Sequence, residues 1–527
     1  MKRMIGITLC LMLALCIVSA SCFSVFAEEY ISEPPYEEII EDVDDLAAVG
    51  AEKEAAFTAV DSELIVPQIR ITTEEGNGAS LQKDDGYVDA VVTITDTDGS
   101  VLSDTCSFKV RGNTTAMTFV QKKAYTFKFE KKKDVLGMGK GKKWALLANA
   151  FDPTMLRNYM ANEFARHLEL PYTSEHRIVE VIVDDSYRGC YELYEPIQEG
   201  KDRVNIDIES NDGKKDFLIE YEAQRVEGGT TYFTVDGLRF IASDPDEPND
   251  DQLGYIVDTM TQIINTLKNG SREEIEVVID VPSFSKFYLL NEYLKTFDFD
   301  MSSVFFFYQD GKLYAGPAWD YDMSTGNTNA DLNSSRAKAT AASDGILQNN
   351  RNIYKHLCNK SWFMDEVKQV YEENYDYIVS ISADGGLLDT WSNSYMELFT
   401  RNAAVWTWSR WWYNYQKKPL PTYAENMNYL KNWLNERNAW LYDYFDLFSY
   451  EFLRGDADGN GAVESVDATC IQRALVGLHV VDDGKIAIRA AMKDNELNIT
   501  DVTVLQRYLA KMGNPFELDT LCKVKLR

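Results

Sequence analysis

From Leu64 onward the chain alternates apolar and polar residues in "LIVPQIRITT", "YVDAVVTITDTDG", "CSFKVRGN", "AYTFKFEKK" and "KWALLAN". Side chains two apart share one face of a strand, so this run predicts a β-rich start divided by Gly and Asp turns. "DPTMLRNYMANEFARHLEL" changes the period and predicts a helix, with Asp152 as N-cap, Pro153 at the first helical position and Pro171 past its end. "IVEVIVDDSYRGCYELYEPI" predicts a hairpin about "DDSYRG". Helical patterns return in "SFSKFYLLNEYLKTF" and in the Trp-rich stretch 353–447. Strands first and helices after predict an α+β domain over 63–450.

The length, 527 residues, sets a soft prior of two to four domains, and 45% hydrophobic content suffices for a sizeable core. Residues 1–27 carry the marks of a secretory signal: Lys2 and Arg3, the apolar run "MIGITLCLMLALCIVSA", and "VFA" before Glu28. An uncleaved anchor is the alternative, and no later run is long enough to span a bilayer. The expectation is a secreted, extracellular protein. Residues 28–62 are acidic, with a Pro pair, and read as a solvated linker. The net charge of −31 argues against nucleic acid as a partner and suits a chain that holds divalent cations. Outside the signal, five widely spaced cysteines form no disulfide framework.

The tail repeats itself. Aligning Asp467 with Asp501 gives D-x-T-x-[IL]-Q-R-x-L twice. The first copy, "DADGNGAVESVD", meets the demand of Ca²⁺ for six to eight oxygens from a twelve-residue loop. Its ligands would be Asp456, Asp458, Asn460, the Ala462 carbonyl, Glu464 and Asp467, with Gly461 at the sharp turn. The second copy has Ala490 and Met492 at its first and third positions, leaving Asp494, Asn498 and Asp501. Two loop–helix units over 454–515, followed by a tail at 516–527, resemble a dockerin, a small all-α calcium-binding module. The resemblance implies docking to a cohesin domain of a scaffold protein in a plant-wall-degrading complex, a cellulosome-type setting tied to polysaccharide breakdown. It also implies that Ser465, Val466, Ile499 and Thr500 set the choice of cohesin.

"AGPAWDYDMSTGN" sets Asp320 and Asp322 one residue apart. As an extended continuation of "KLYAG" it would put both acids on one face, with Trp319 and Tyr321 on the other. Neighbouring carboxylates in apolar company do not both ionise cheaply without a cation. An acidic turn after a strand accounts for the same spacing. Asp298 and Asp300 lie upstream, across the strand pair of "VFFFYQDGKLY". Protein kinases use such a layout: one Asp orients the acceptor hydroxyl and another, past a hairpin, holds the metal on the phosphates. The phosphate cation would be Lys128, with Lys122 and Lys123 as rivals.

In this order "KVRGNTT", "KKAYTFKF", "LGMGKGKKWALLANAFDPTMLRN", "YRGCYELYEPI", "RVNID" and "GKLYAGPAWDYDMSTGN" resemble the CotH (spore coat protein H) kinase family. The resemblance implies an atypical protein-kinase-like fold, β-rich and then helical, that transfers phosphate from ATP to protein Ser or Thr with Mg²⁺ or Mn²⁺. By position it makes Lys128 the phosphate lysine, Asp298 the catalytic acid and Asp320 the main metal ligand, with Asp322 beside it. Arg111, Arg157 and Glu163 become cleft partners, Glu163 as the helix carboxylate for Lys128. Two departures stand out. Ser303 replaces the amide that a kinase loop uses for its second metal, and no GxGxxG precedes Lys128. A catalytically inactive binding domain is therefore the alternative, and a glycoside hydrolase using Asp298 and Asp320 the third choice. Histidine chemistry is not expected: His167, His176, His356 and His479 show no metal spacing. The tryptophans of "WTWSRWW" read as helix packing rather than sugar stacking.

Overall fold

Alternation in the first third of the chain closes a barrel. Its strands are β1 (Gln68–Thr73), β2 (Val88–Thr95), β3 (Val101–Arg111), β4 (Ala124–Asp134), β5 (Lys140–Leu147), β6 (His176–Val183) and β7 (Ser186–Tyr194). The order is β1-β2-β3-β4-β5-β7-β6, and β6 returns parallel to β1, leaving no free edge. Phe108, Val110, Tyr125, Phe127, Trp144 and Leu146 fill the interior. The intervening positions Lys109, Arg111, Lys128 and Lys143 therefore face outward. This is a computed structural model, and it describes residues 64–209, 215–224, 229–406, 414–478, 485–490 and 496–526. The expected signal (1–27), the acidic segment (28–62), Asp494, His479 and all of "WTWSRWW" except Trp406 lie outside the described residues.

Helix α1 (Arg157–His167) follows the barrel's fifth strand, starting five residues after the expected cap. Asp152 explains the delay. Its carboxylate accepts from the Thr154 and Arg157 amides at 2.9 and 2.8 Å and orders a turn that competes with the helix.

A second sheet has the order β12-β11-β8-β10-β9. It is built from β8 (Phe217–Tyr221), β9 (Tyr232–Val235), β10 (Leu238–Asp244), β11 (Val304–Gln309) and β12 (Lys312–Ala315). Helices α2 (Asp250–Asn269), α3 (Arg272–Val278) and α4 (Val281–Leu294) connect its halves. Asp280 caps α4 by accepting from the Ser283 amide, and Pro282 sits in the first turn, where no donor is needed. Buried on almost every side, α4 is the axis of the helical core. After it come α5 (Ser335–Ala341); α6 (Ser361–Ser382), which packs on α4; α7 (Leu387–Ser394); α8 (Met396–Val405), which packs on β7; and α9 (Tyr423–Tyr444), which packs on α6. The expected mixed α+β order, a β-rich beginning and helices after it, is what the chain adopts.

The last part contains β13 (Ser449–Leu453), α10 (Ser465–Leu475), α11 (Ile486–Arg489), α12 (Ile499–Leu509) and β14 (Leu521–Lys525). Helices α10 and α12 pack on each other over their own small core of Ala468, Ile471, Val502 and Leu505. Strand β14 pairs antiparallel with β13, Ser449 opposite Lys525 and Leu453 opposite Leu521. Among the described residues no helix is long and apolar enough to cross a membrane.

Candidate functional site

Two backbone hydrogen bonds bring the distant acid pairs together. Asp298 lies in a 3-10 turn, Phe297–Asp300, whose Phe297 amide donates to the Met323 carbonyl at 3.0 Å. The Thr325 amide donates to the Leu294 carbonyl at 2.7 Å, so the end of α4 and the Asp322 loop are laced side by side. Arg157, fully buried, fastens the same loop. It pairs with Asp152 at 2.5 Å and donates to the Ser324 carbonyl and the Thr325 hydroxyl at 3.2 and 2.9 Å. Its role is structural. Asp300 is tied off as well, to Arg351 at 2.8 Å.

The segment carrying Asp320 and Asp322 is not the extended strand expected. Asp320 has φ of +68°, a left-handed conformation that non-glycine residues adopt at a cost of about 1–3 kcal/mol. Ser303, with φ of +62°, faces it and donates its hydroxyl to Asp320 at 3.3 Å. Despite the turn, the carboxylates share one environment. Burial pushes Asp298 up to about 7, and the charge of Asp320 adds to that while Arg336 opposes it. Asp322 is raised well above the usual range by burial, then by Asp320 and Asp298. Burial also raises Asp320, against the Ser303 hydroxyl and the Arg111 guanidinium. Glu220, on β8, is pushed up to about 7 by burial and by Glu222.

On the barrel side Arg111 completes the site. Its guanidinium lies 5.1 Å over the Trp319 ring, in the field of Asp320, and its buried Nη1 has no hydrogen-bond partner. A buried cationic donor without an acceptor is costly and marks a place for an anion. Lys128 stands on the same outward face, opposite Lys143 in the ladder. Like charges opposite each other are unfavourable, and Lys143 is further depressed by burial and by Arg111 and Lys109. The rivals are committed elsewhere. Lys122 donates to the Ala148 and Cys190 carbonyls at 2.7 and 2.6 Å, and Lys123 to the Ala116 and Met117 carbonyls.

One expected pair does not form. Glu163 meets His176 at 2.9 Å and Arg166 at 3.6 Å, and makes no ion pair with Lys128. The reason is directional: Lys128 points out from the barrel wall, whereas α1 turns Glu163 toward β6 and its buried imidazole. His176 is not isolated, as its sequence neighbours suggested.

In the tail, Asp456, Asp458 and Asp467 each bring one oxygen to within 4.8 Å of the others. The Gly459, Asn460 and Gly461 amides donate to Asp456, and those of Asp458 and Glu464 to Asp467. Gly461 takes φ of +88°, the turn its position requires. Asp467 is raised by burial first and then by Asp458 and Asp456. Hard oxygen donors under mutual repulsion suit Ca²⁺. In the second copy Asn498 and Asp501 form a capping box at the start of α12, with Asp501 buried.

The family profile described as CotH kinase protein matches residues 108–441, more than half of the chain. The chain belongs to the CotH kinase family. No curated protein matches it.

The CotH match opens in β3 and closes in α9, so every cleft residue named above lies inside it and the Asp456–Asp467 loop beyond it. Within the CotH region the carboxylates and the Ser303 hydroxyl offer oxygen donors only, the type that Mg²⁺ or Mn²⁺ takes, whereas among the described residues the three acids whose oxygens lie within 4.8 Å of one another are those of the tail. Sequence reading missed Glu220 and Glu222. The signal was "FLIEYE", two acids at strand spacing within an apolar run. It also counted Ser303 only as a missing amide, whereas the hydroxyl touches Asp320.

Proposed function

We propose that this CotH-family chain is a secreted phosphotransferase that uses ATP with Mg²⁺ or Mn²⁺ on a protein hydroxyl, docked by a calcium-loaded dockerin to a scaffold cohesin. The observation that carries it is the set of acids at Asp298, Asp320, Asp322 and Glu220 that hinder one another's ionisation beside the Arg111 guanidinium, whose buried Nη1 has no hydrogen-bond partner. Such a pair of opposite charge surpluses has a simple resolution in a divalent cation on the acid side and phosphate oxygens on the guanidinium side.

In this reading Asp320 and Asp322 hold the cation, and Ser303 steadies Asp320 through its hydroxyl. A divalent cation supplies neutralisation of the charge that builds on the transferred phosphoryl group. Arg111 and Lys128 hold phosphate oxygens from the barrel wall, and Trp319 keeps the Arg111 plane in place. Asp298 orients the acceptor hydroxyl and takes its proton; a carboxylate pushed up to about 7 is suited to that exchange near neutral pH. The loop at Asp456–Asp467 binds Ca²⁺ and stiffens the start of α10, and the exposed Val466 and Ile499 face the cohesin.

A second reading has support in Ser303, a weaker metal ligand than an amide carbonyl: the site holds nucleotide without turning it over. Thermal melting with Mn²⁺ and ATP, then label transfer from γ-labelled ATP, distinguishes the two. A raised melting temperature with transfer supports the kinase, a raised temperature alone supports the binder, and no shift removes both. Release of reducing sugar from plant-wall polymers would favour a glycosidase instead.

A further inference from the structure

A line of polar side chains runs through the domain from a surface cleft to the candidate metal loop. The cleft encloses about 560 Å³ and is bounded by Glu163, Arg166, Tyr159, His176 and Tyr395 among others. At its floor, buried His176 bridges two carboxylates: Nε2 to Glu163 at 2.9 Å and Nδ1 to Glu192 at 2.7 Å. Glu192 is fully buried and accepts from the Asn149 amide at 3.3 Å. Asn149 in turn accepts from the Asn158 amide at 2.9 Å, and Asn158 accepts from the Tyr321 backbone N–H at 2.6 Å. Tyr321 lies between Asp320 and Asp322.

Direction is fixed at every joint. Because Asn158 must accept from a backbone N–H, its amide nitrogen faces Asn149; Asn149 must then offer its own nitrogen to Glu192. Every donor therefore points away from the metal loop and toward Glu192, which also needs the imidazole to satisfy it. Core satisfaction alone would be met by a single amide. An imidazole bonded at both nitrogens to acids, one of which lines a cleft, is more than that requires.

We propose that His176 is a positioning residue for the carboxylate cluster, acting through Glu192, Asn149 and Asn158 on the Tyr321 amide and so on the placement of Asp320 and Asp322. The proposal rests on the phosphotransfer reading for what the cluster does, and not for the linkage itself.

The test uses the full chain with Ca²⁺ filling the terminal loop. In His176→Gln, hydrogen exchange at Tyr321 should quicken about tenfold while amides of β4 and α4 keep their wild-type rates. Mn²⁺ affinity at the cluster, read by electron paramagnetic resonance, should weaken by less than the roughly 10–100-fold that follows loss of a partner bonded directly to a metal ligand, because Glu192, Asn149 and Asn158 intervene. Unchanged exchange at Tyr321, or a uniform rise across the domain, overturns the proposal. Should His176→Gln fail to fold, Glu192→Met decides in the same way: it nearly keeps the volume and removes both the acceptor of the Asn149 amide and the partner of His176 Nδ1. A wild type that binds neither Mn²⁺ nor ATP ends the phosphotransfer reading, while exchange at Tyr321 still judges the linkage.

Discussion

Asp298 and Lys122 show how much one buried charge decides. Asp298→Asn keeps the shape and removes the proton acceptor, so phosphate transfer should fall about 10²–10⁴-fold while Mn²⁺ and ATP still raise the melting temperature. A matching loss of the melting shift would mean that Asp298 binds rather than reacts. Lys122 makes a pH prediction. Burial depresses it from 10.5 to about 7, so between those values the unfolded chain holds the extra proton and stability climbs as pH rises. Denaturant midpoints measured across that window should show a gain in the wild type that Lys122→Met lacks; equal gains would count against the burial cost. Period two in "YTFKF" made Lys128 legible as outward-facing, and a strand pattern cannot reveal that Lys122 ends on carbonyls far along the chain or that Lys123 folds back onto the Ala116 and Met117 carbonyls. The same limit hid His176, whose partners Glu163 and Glu192 come from a helix and another strand.

Among elements, α4 and α9 are joined by a charge that water never reaches. Arg437 and Glu292 pair at 2.6 Å, both fully buried, and the same guanidinium donates to the Ser343 and Gly345 carbonyls. Arg437→Met leaves Glu292 without its counter-charge and should cost about 3–5 kcal/mol in chemical denaturation. A loss under about 1 kcal/mol would show that the Leu347 and Gln348 amides alone satisfy Glu292. In the tail, Asp456→Ala should abolish a calcium-dependent rise in helicity of α10; full helicity in chelator would instead mean that the capping box at Glu464 suffices. Elements with strong local patterns were readable: the strands of the barrel, the hairpin of β11 and β12, and the helical run of α4, whereas β8 to β10 and the Asp280 cap were not read. Nor were the start of α1 and the path of Asp320. At α1 the Asp152 carboxylate competes for the backbone amides, and at Asp320 the Ser303 hydroxyl holds the carboxylate, contacts that spacing does not encode.

For the whole molecule, charge is sorted rather than spread. The chain carries −31, yet Lys109, Arg111, Lys128 and Lys143 gather on one outward face of three adjoining strands. That face should draw anions in a salt-dependent way, so added salt should slow ATP association more than dissociation; equal effects on both rates would argue against steering. Composition could not show this island, because it emerges only when the barrel closes. The β13–β14 ribbon acts at the same scale. Lys523 and Lys525 reach Asp446, and the Leu526 amide donates to the Phe448 carbonyl, so the final strand returns to residues just after α9. Removing 521–527 should widen the distance distribution between spin labels on α9 and α12; an unaltered distribution would show the ribbon to be idle. A lone strand is a swivel, free to spin about its own axis. Two strands laced together make a flat hinge with high torsional stiffness, so anything gripping the terminal helices would fix the compass bearing of the main domain as well as its distance.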